Sequence, residues 1–108
     1  MYTLAQAIAA LSVEHPPKGT EKVFARFAAH RLAIPETASI VLDDPQAQFL
    51  QREPGNVTVW LVVKDDPQSV FFDPLSGDFG ACWGPDETDG SYRDLGIRSN
   101  SAFDAYRS

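Results

Sequence analysis

This sequence predicts an α+β fold: two N-terminal helices packed on an antiparallel β-meander of five to six strands, with a short C-terminal helix. Three observations carry that prediction. Before Pro35 the apolar residues recur at helical spacing, at Leu4, Ile8 and Leu11 and again at Val23, Phe24, Phe27, Ala28 and Leu32. From residue 38 they gather instead into short runs rich in β-branched and aromatic side chains, each bounded by Pro, Gly, Asp or Asn. The 108 residues are 44% hydrophobic, enough for one core, so a single domain over 1–108 is expected.

Thr3-Leu4-Ala5-Gln6 has the form of a capping box, in which hydroxyl and amide satisfy the orphan donors of a helix start, and it opens a helix over about 3–13. His15-Pro16-Pro17-Lys18-Gly19 ends that helix, because two prolines cannot continue its hydrogen-bond ladder. Thr20 caps a second helix over about 20–33, which lies on the sheet with Lys22, Arg26 and Arg31 facing mainly outward. Pro35 disfavours helix at Ile34 and marks the change of pattern. Strands follow at 39–42, 48–50, 57–63, 70–72 and 79–83, with a sixth over 92–98, so the sheet spans about 38–98. The segment AQFLQRE around 48–50 reads either as a strand or as a helical turn. Val57 to Val63 is apolar on both faces apart from Thr58, as in a central strand covered on both sides. Ser99 or Asn100 caps the closing helix, about 100–107.

The formal net charge is −6, unevenly placed. Residues 1–34 hold four bases against two acids, and residues 35–108 hold five against thirteen. That balance disfavours nucleic acid and anionic membrane and points to a basic protein as partner. One cysteine excludes an internal disulfide and a multi-thiolate metal site. No run approaches the roughly 18 apolar residues of a membrane span. The Ala-rich start has no basic residue before it and is broken by Gln6, so it does not read as a signal peptide, and a cytoplasmic location is expected.

The tetrapeptide DDPQ occurs twice, at Asp43–Gln46 and Asp65–Gln68. Pro at the second position of a type I turn, with Asp before it, explains both copies as hairpin tips. If the strands alternate up and down, both tips and the GPDETDG loop fall at one end of the sheet. That end would gather Asp43, Asp44, Asp65, Asp66, Asp86, Glu87 and Asp89 into an acidic edge able to attract a basic partner. Trp83, beside the loop, would anchor the contact if it faces outward.

The chemistry-bearing residues give no catalytic or cofactor motif, and neither a cofactor nor a metal is expected. Cys82 sits in the apolar run FGACW, where a thiol behaves as a small buried hydrophobe, although His15 and His30 are formally available to activate it. Asp86 to Gly90 lacks the alternating ligands of a calcium loop, and Asp78-Phe79-Gly80 matches the kinase triplet without the rest of that signature. Asp73 and Asp94 are the acids placed to be partly buried, with a salt bridge to Arg93 or Arg98 as their expected role.

The segment SVFFDPLSGDFGACWG followed by SYRDLGIRSNSAFDAYR, residues 69–107, resembles the closing hairpin and terminal helix of small bacterial toxin-immunity proteins. The resemblance implies a non-enzymatic, stoichiometric inhibitor that sets acidic loops against a basic toxin; it carries over no individual residue. The alternative is a small-molecule binder or minor enzyme with a pocket between helices and sheet, using Cys82 or Asp94.

Overall fold

The computed structural model describes residues 1–11, 16–42, 44–49, 51–52 and 55–108. Among them the order is α1 (Leu4–Leu11), α2 (Glu21–His30), β1 (Arg31–Leu42), α3 (Asp44–Phe49), β2 (Gly55–Val63), β3 (Gln68–Phe72), β4 (Phe79–Trp83), β5 (Tyr92–Ser99) and α4 (Ala102–Arg107). The strands pair in sequence order as antiparallel neighbours, as a meander should. The sheet then closes into a barrel, through a parallel ladder in which Ile40 of β1 pairs with Tyr92 of β5 and Val41 with Arg93. An open meander was expected; closure depends on a pairing across the chain that no local signal encodes.

Barrel geometry turns side chains alternately inward and outward. Ile40, Leu42, Val59, Leu61, Phe71, Cys82 and Tyr92 form one buried cluster inside, with Ala47 of α3 packed against it. Val62, Val70, Phe72 and Phe79 alternate with them and form a second cluster with Ala7, Leu11, Phe27 and Phe103 from the helices. β2 is covered on both faces only at its end: Leu61, Val62 and Val63 are buried, whereas Val57 and Trp60 are half-buried and Thr58 is exposed, so the doubly covered strand expected over Val57 to Val63 is realised in its last residues alone. Gly80 is needed between these layers: a Cβ there would meet Cζ of the buried Phe71 ring at 2.4 Å.

The helices follow their sequence signals unevenly. In α1 the capping box forms in full, with the Thr3 N–H donating to Gln6 Oε1 (2.7 Å) and the Gln6 N–H to Thr3 Oγ1 (3.2 Å). Thr20 does not cap α2 with its side chain; its hydroxyl donates to the Pro17 carbonyl instead. That helix ends at His30 rather than near 33, and β1 begins at once. Pro35 therefore lies inside a strand, buried, in the stretch between Arg31 and Glu36 where the register slips. An irregularity of this kind is where a strand tolerates a residue without an N–H. The cap of α4 is Ser101, whose hydroxyl accepts from the Asp104 N–H at 3.2 Å, rather than Ser99 or Asn100. It is α4, more than the N-terminal helices, that lies on β3 and β4, and α2 packs onto α4 through Phe24 and Phe27.

Asp44–Phe49 forms the helix α3, so Gln48 and Phe49 are not strand. Pro45 sits in its first turn, where a missing N–H costs nothing. The second DDPQ folds differently. The Asp65 carbonyl accepts from the Gln68 N–H at 3.1 Å, and the Asp66–Pro67 peptide is cis, so proline is the third residue of a turn begun one position earlier than expected. One tetrapeptide thus serves two structures. With Gln48 and Phe49 helical, the parity between the copies also changes: Leu42 faces Gly55 and Arg31 faces Val63, so they leave opposite ends of the β1·β2 ladder.

Candidate functional site

Four of the five residues of β4 are buried, and the fifth, Trp83, is 52% exposed. Its backbone is fixed on both flanks, by pairing with Gln68 of β3 and Arg93 of β5. A large apolar side chain is thus held in water by a rigid strand. Trp83 forms part of the wall of two clefts, of about 530 and 610 Å³.

The first cleft lies between Trp83 and the loop from Gly84 to Ser91, with Tyr92, Arg93 and Val41 at its base. The loop builds its shape from its own acids. Asp86 Oδ1 accepts from the Thr88 and Asp89 N–H groups at 2.8 and 3.3 Å, and the Asp86 N–H donates to the Ser91 carbonyl at 2.8 Å. Asp89 Oδ1 accepts from the N–H and hydroxyl of Ser91, and these bonds hold its carboxyl below the usual carboxylate range. Glu87 is exposed at the tip.

The second cleft lies between Trp83 and the helices, and its walls include Lys22, Val23, Tyr106 and Arg107. Asp65 is turned inward here. Arg26 donates to both its oxygens (Nε at 2.8 Å, Nη2 at 3.2 Å), the Tyr106 hydroxyl donates at 2.8 Å, and His30 Nε2 stands 3.6 Å away. The Arg26 bond, aided by Tyr106, keeps the Asp65 carboxyl ionised to lower pH than usual against the opposing effect of burial. Asp65 pins α2 and α4 to the β2–β3 turn, so it is a clamp within the fold rather than a free acid. Asp66, beside it, is exposed.

Of the eight sequence-predicted residues, five therefore line a cleft together with the sixth, Trp83: Asp65 and Asp66 on one side, Asp86, Glu87 and Asp89 on the other. Asp43 lies outside the described residues. Asp44 opens α3, and Val41, three residues before it, lines the first cleft. Sequence reasoning missed Lys22, Arg26, Tyr106 and Arg107 here. The outward basic face of the second helix was the available signal, but its neighbour across space was not.

A separate polar group seals one end of the barrel interior. Asp73, 1% exposed, accepts from Arg52 Nη1 at 2.6 Å, Arg98 Nη1 at 2.8 Å and the Leu75 N–H at 2.9 Å. Arg98 also donates to Asp94 at 2.7 Å and lies over the Phe71 ring, 4.9 Å from its centroid. Arg98 is thus the partner of both acids singled out in the sequence, and Arg52 was not anticipated. Each carboxylate in this group is answered by an arginine, which suits a structural role, although the buried Nε of Arg98 has no hydrogen-bond partner among the described residues.

Cys82 is fully buried, and its Sγ donates weakly to the Ser69 carbonyl at 3.6 Å. Burial, with Asp94 nearby, pushes the thiol up to about 12. His30 is engaged instead with the Arg26 carbonyl at 2.9 Å, and His15 lies outside the described residues. The native protein should accordingly resist a thiol reagent at pH 8 and react fully once unfolded in denaturant; rapid native labelling would show that the strand opens around Cys82. A small cleft between α1 and β1 is lined by Ile8, Leu11, Arg31, Leu32 and Ala33, and neither Cys82 nor Asp94 is among them. Among the described residues no three His, Cys, Asp or Glu side chains converge as metal ligands, and no helix is long and apolar enough to cross a membrane.

Comparison with known protein families, with curated proteins and with solved structures finds no match.

Proposed function

We propose that this chain is a non-enzymatic protein-binding module whose contact face centres on Trp83, and that its specific role is that of a bacterial immunity-type inhibitor of a basic toxin. The supporting observation is a half-exposed tryptophan, fixed on a strand and bordered by the exposed acids Asp86 and Glu87. Tryptophan concentrates binding energy because it buries a large area at little entropic cost, and surrounding acids steer a basic partner and hasten encounter.

Affinity capture from a bacterial host, followed by titration of the captured protein, tests this reading. The expected result is a basic partner bound one to one, whose activity is inhibited. Trp83→Ala should weaken that complex by about 30-fold or more, a loss of about 2 kcal/mol typical of a hot spot. The variant should remain folded, losing only about 1–2 kcal/mol of its own stability, because about half of the indole is already in water. Asp86→Asn with Glu87→Gln, or added salt, should slow association chiefly. Binding that ignores both Trp83 and salt would sink the proposal.

A further inference from the structure

Trp83 and Pro67 line both clefts, so the two form one continuous groove with Trp83 as a ridge along it. Its two arms differ in charge. The loop arm carries Asp86, Glu87 and Asp89 against Arg93, a balance of −2. The helix arm carries Lys22, Arg26 and Arg107 against Asp65 and Asp66, a balance of +1. Arg26, though exposed, is committed to Asp65, which leaves Lys22 and Arg107 as the cations available to a ligand, against the one exposed acid Asp66. The pair that Arg107 makes with Asp104, 3.2 Å apart at the surface, is screened by water and can be exchanged for another carboxylate. The uneven charge of the sequence acquires a location here: the basic face of α2 is docked beside an acidic loop, with an indole between them.

We infer that the groove binds an extended protein segment in one direction, with a lysine or arginine against Asp86 and Glu87 and an aspartate or glutamate against Lys22 and Arg107, draped over Trp83. This rests on the reading that Trp83 marks the partner face and adds the chemistry of what lies across it. A uniformly basic segment would satisfy the loop arm and be repelled along the helix arm. A segment laid in reverse would set like charges together at both ends, so the arms fix polarity as well as position.

The test pans a phage-displayed dodecapeptide library, up to about 40 Å when extended, on the intact protein, with Trp83→Ala as counter-selection. The selected peptides should share a basic and an acidic residue in constant order. A synthetic consensus peptide should bind at least about ten-fold more weakly both to Glu87→Lys and to the Lys22→Glu, Arg107→Glu double variant. The same peptide with its charged residues exchanged should lose a similar factor. If Glu87→Lys weakens binding while the double variant strengthens it, the site prefers purely cationic segments, which overturns the two-sided inference and leaves the protein-binding proposal standing. If no Trp83-dependent peptide emerges, both fall.

Discussion

Asp73→Ala is expected to cost about 3–5 kcal/mol of stability, the usual penalty for removing one partner of a buried ion pair. Asp73 accepts from two guanidinium groups and a backbone amide, and both Arg52 and Arg98 are largely out of water. Without the carboxylate, Arg52 loses the partner it holds at 2.6 Å, and Arg98 keeps only Asp94 and a longer contact of 3.3 Å to Asp78. Urea melts of wild type and variant measure the loss. A value below about 1.5 kcal/mol would mean that water enters and solvates the arginines, because a desolvated charge left alone cannot be that inexpensive. The pH dependence gives a second reading. Burial acts to raise the Asp73 carboxyl, but the bonds from Arg52, Leu75 and Arg98 outweigh it and hold it below the ordinary value. A depressed folded-state value means that the stabilisation is present above the unfolded value of about 3.9 and is lost as pH falls through the folded one. Wild type should therefore lose stability below about pH 4 more steeply than Asp73→Asn, which has no proton to take up there. Asp65 is depressed as well, so some acid sensitivity should survive in the variant.

Phe27→Ala should have an effect of similar size, about 3–5 kcal/mol, from lost burial and the cavity left behind. Phe27 is fully buried, with the Phe103 and Tyr106 rings edge-on at 5.4 and 5.6 Å and Phe24 at 5.5 Å. These rings are the join between α2 and α4, and Tyr106 carries the hydroxyl that reaches Asp65. Phe27→Leu should recover much of the loss by refilling the space. If Phe27→Ala costs under about 1.5 kcal/mol, the helices close over the gap and the aromatic layer does not hold them in place. Thermal or urea unfolding of the three proteins decides between these outcomes.

What the sequence disclosed and what it hid divide along the reach of the interactions. The capping box at Thr3 and Gln6, the buried end of β2 at Leu61 to Val63, the buried Cys82 and the pairing of Asp94 with Arg98 four residues on all follow from neighbours within a few positions. The segment at 48–50 was ambiguous because so short an apolar run has no period, and Pro45 favoured a helix start as much as a turn. Pro35 misled because a strand irregularity, unlike a helix, accepts it. Asp65 misled for another reason. It stands in a turn tetrapeptide that looks solvated, yet its partners Arg26 and Tyr106 lie 39 and 41 residues away. The candidate face was legible as a tryptophan and an acidic loop; its basic wall was not, because only the folded chain sets α2 beside β4.

The parallel seam gives the molecule the character of a screw. Stepping across the ladders from Val41 to Arg93, Trp83 and Gln68, then through Val70 and Val63, returns to β1 near Arg31, at the far end of the strand from which the circuit began. One turn around the barrel climbs the length of β1. Distance between two loops is therefore set by the direction of travel: the chain leaving β1 and the turn leaving β2 are a full strand apart by one route, and a short walk apart by the other. That winding carries Val41 to the foot of the cleft beneath Trp83, and it makes the length of β1, including the irregularity at Pro35, the pitch to which the groove is cut.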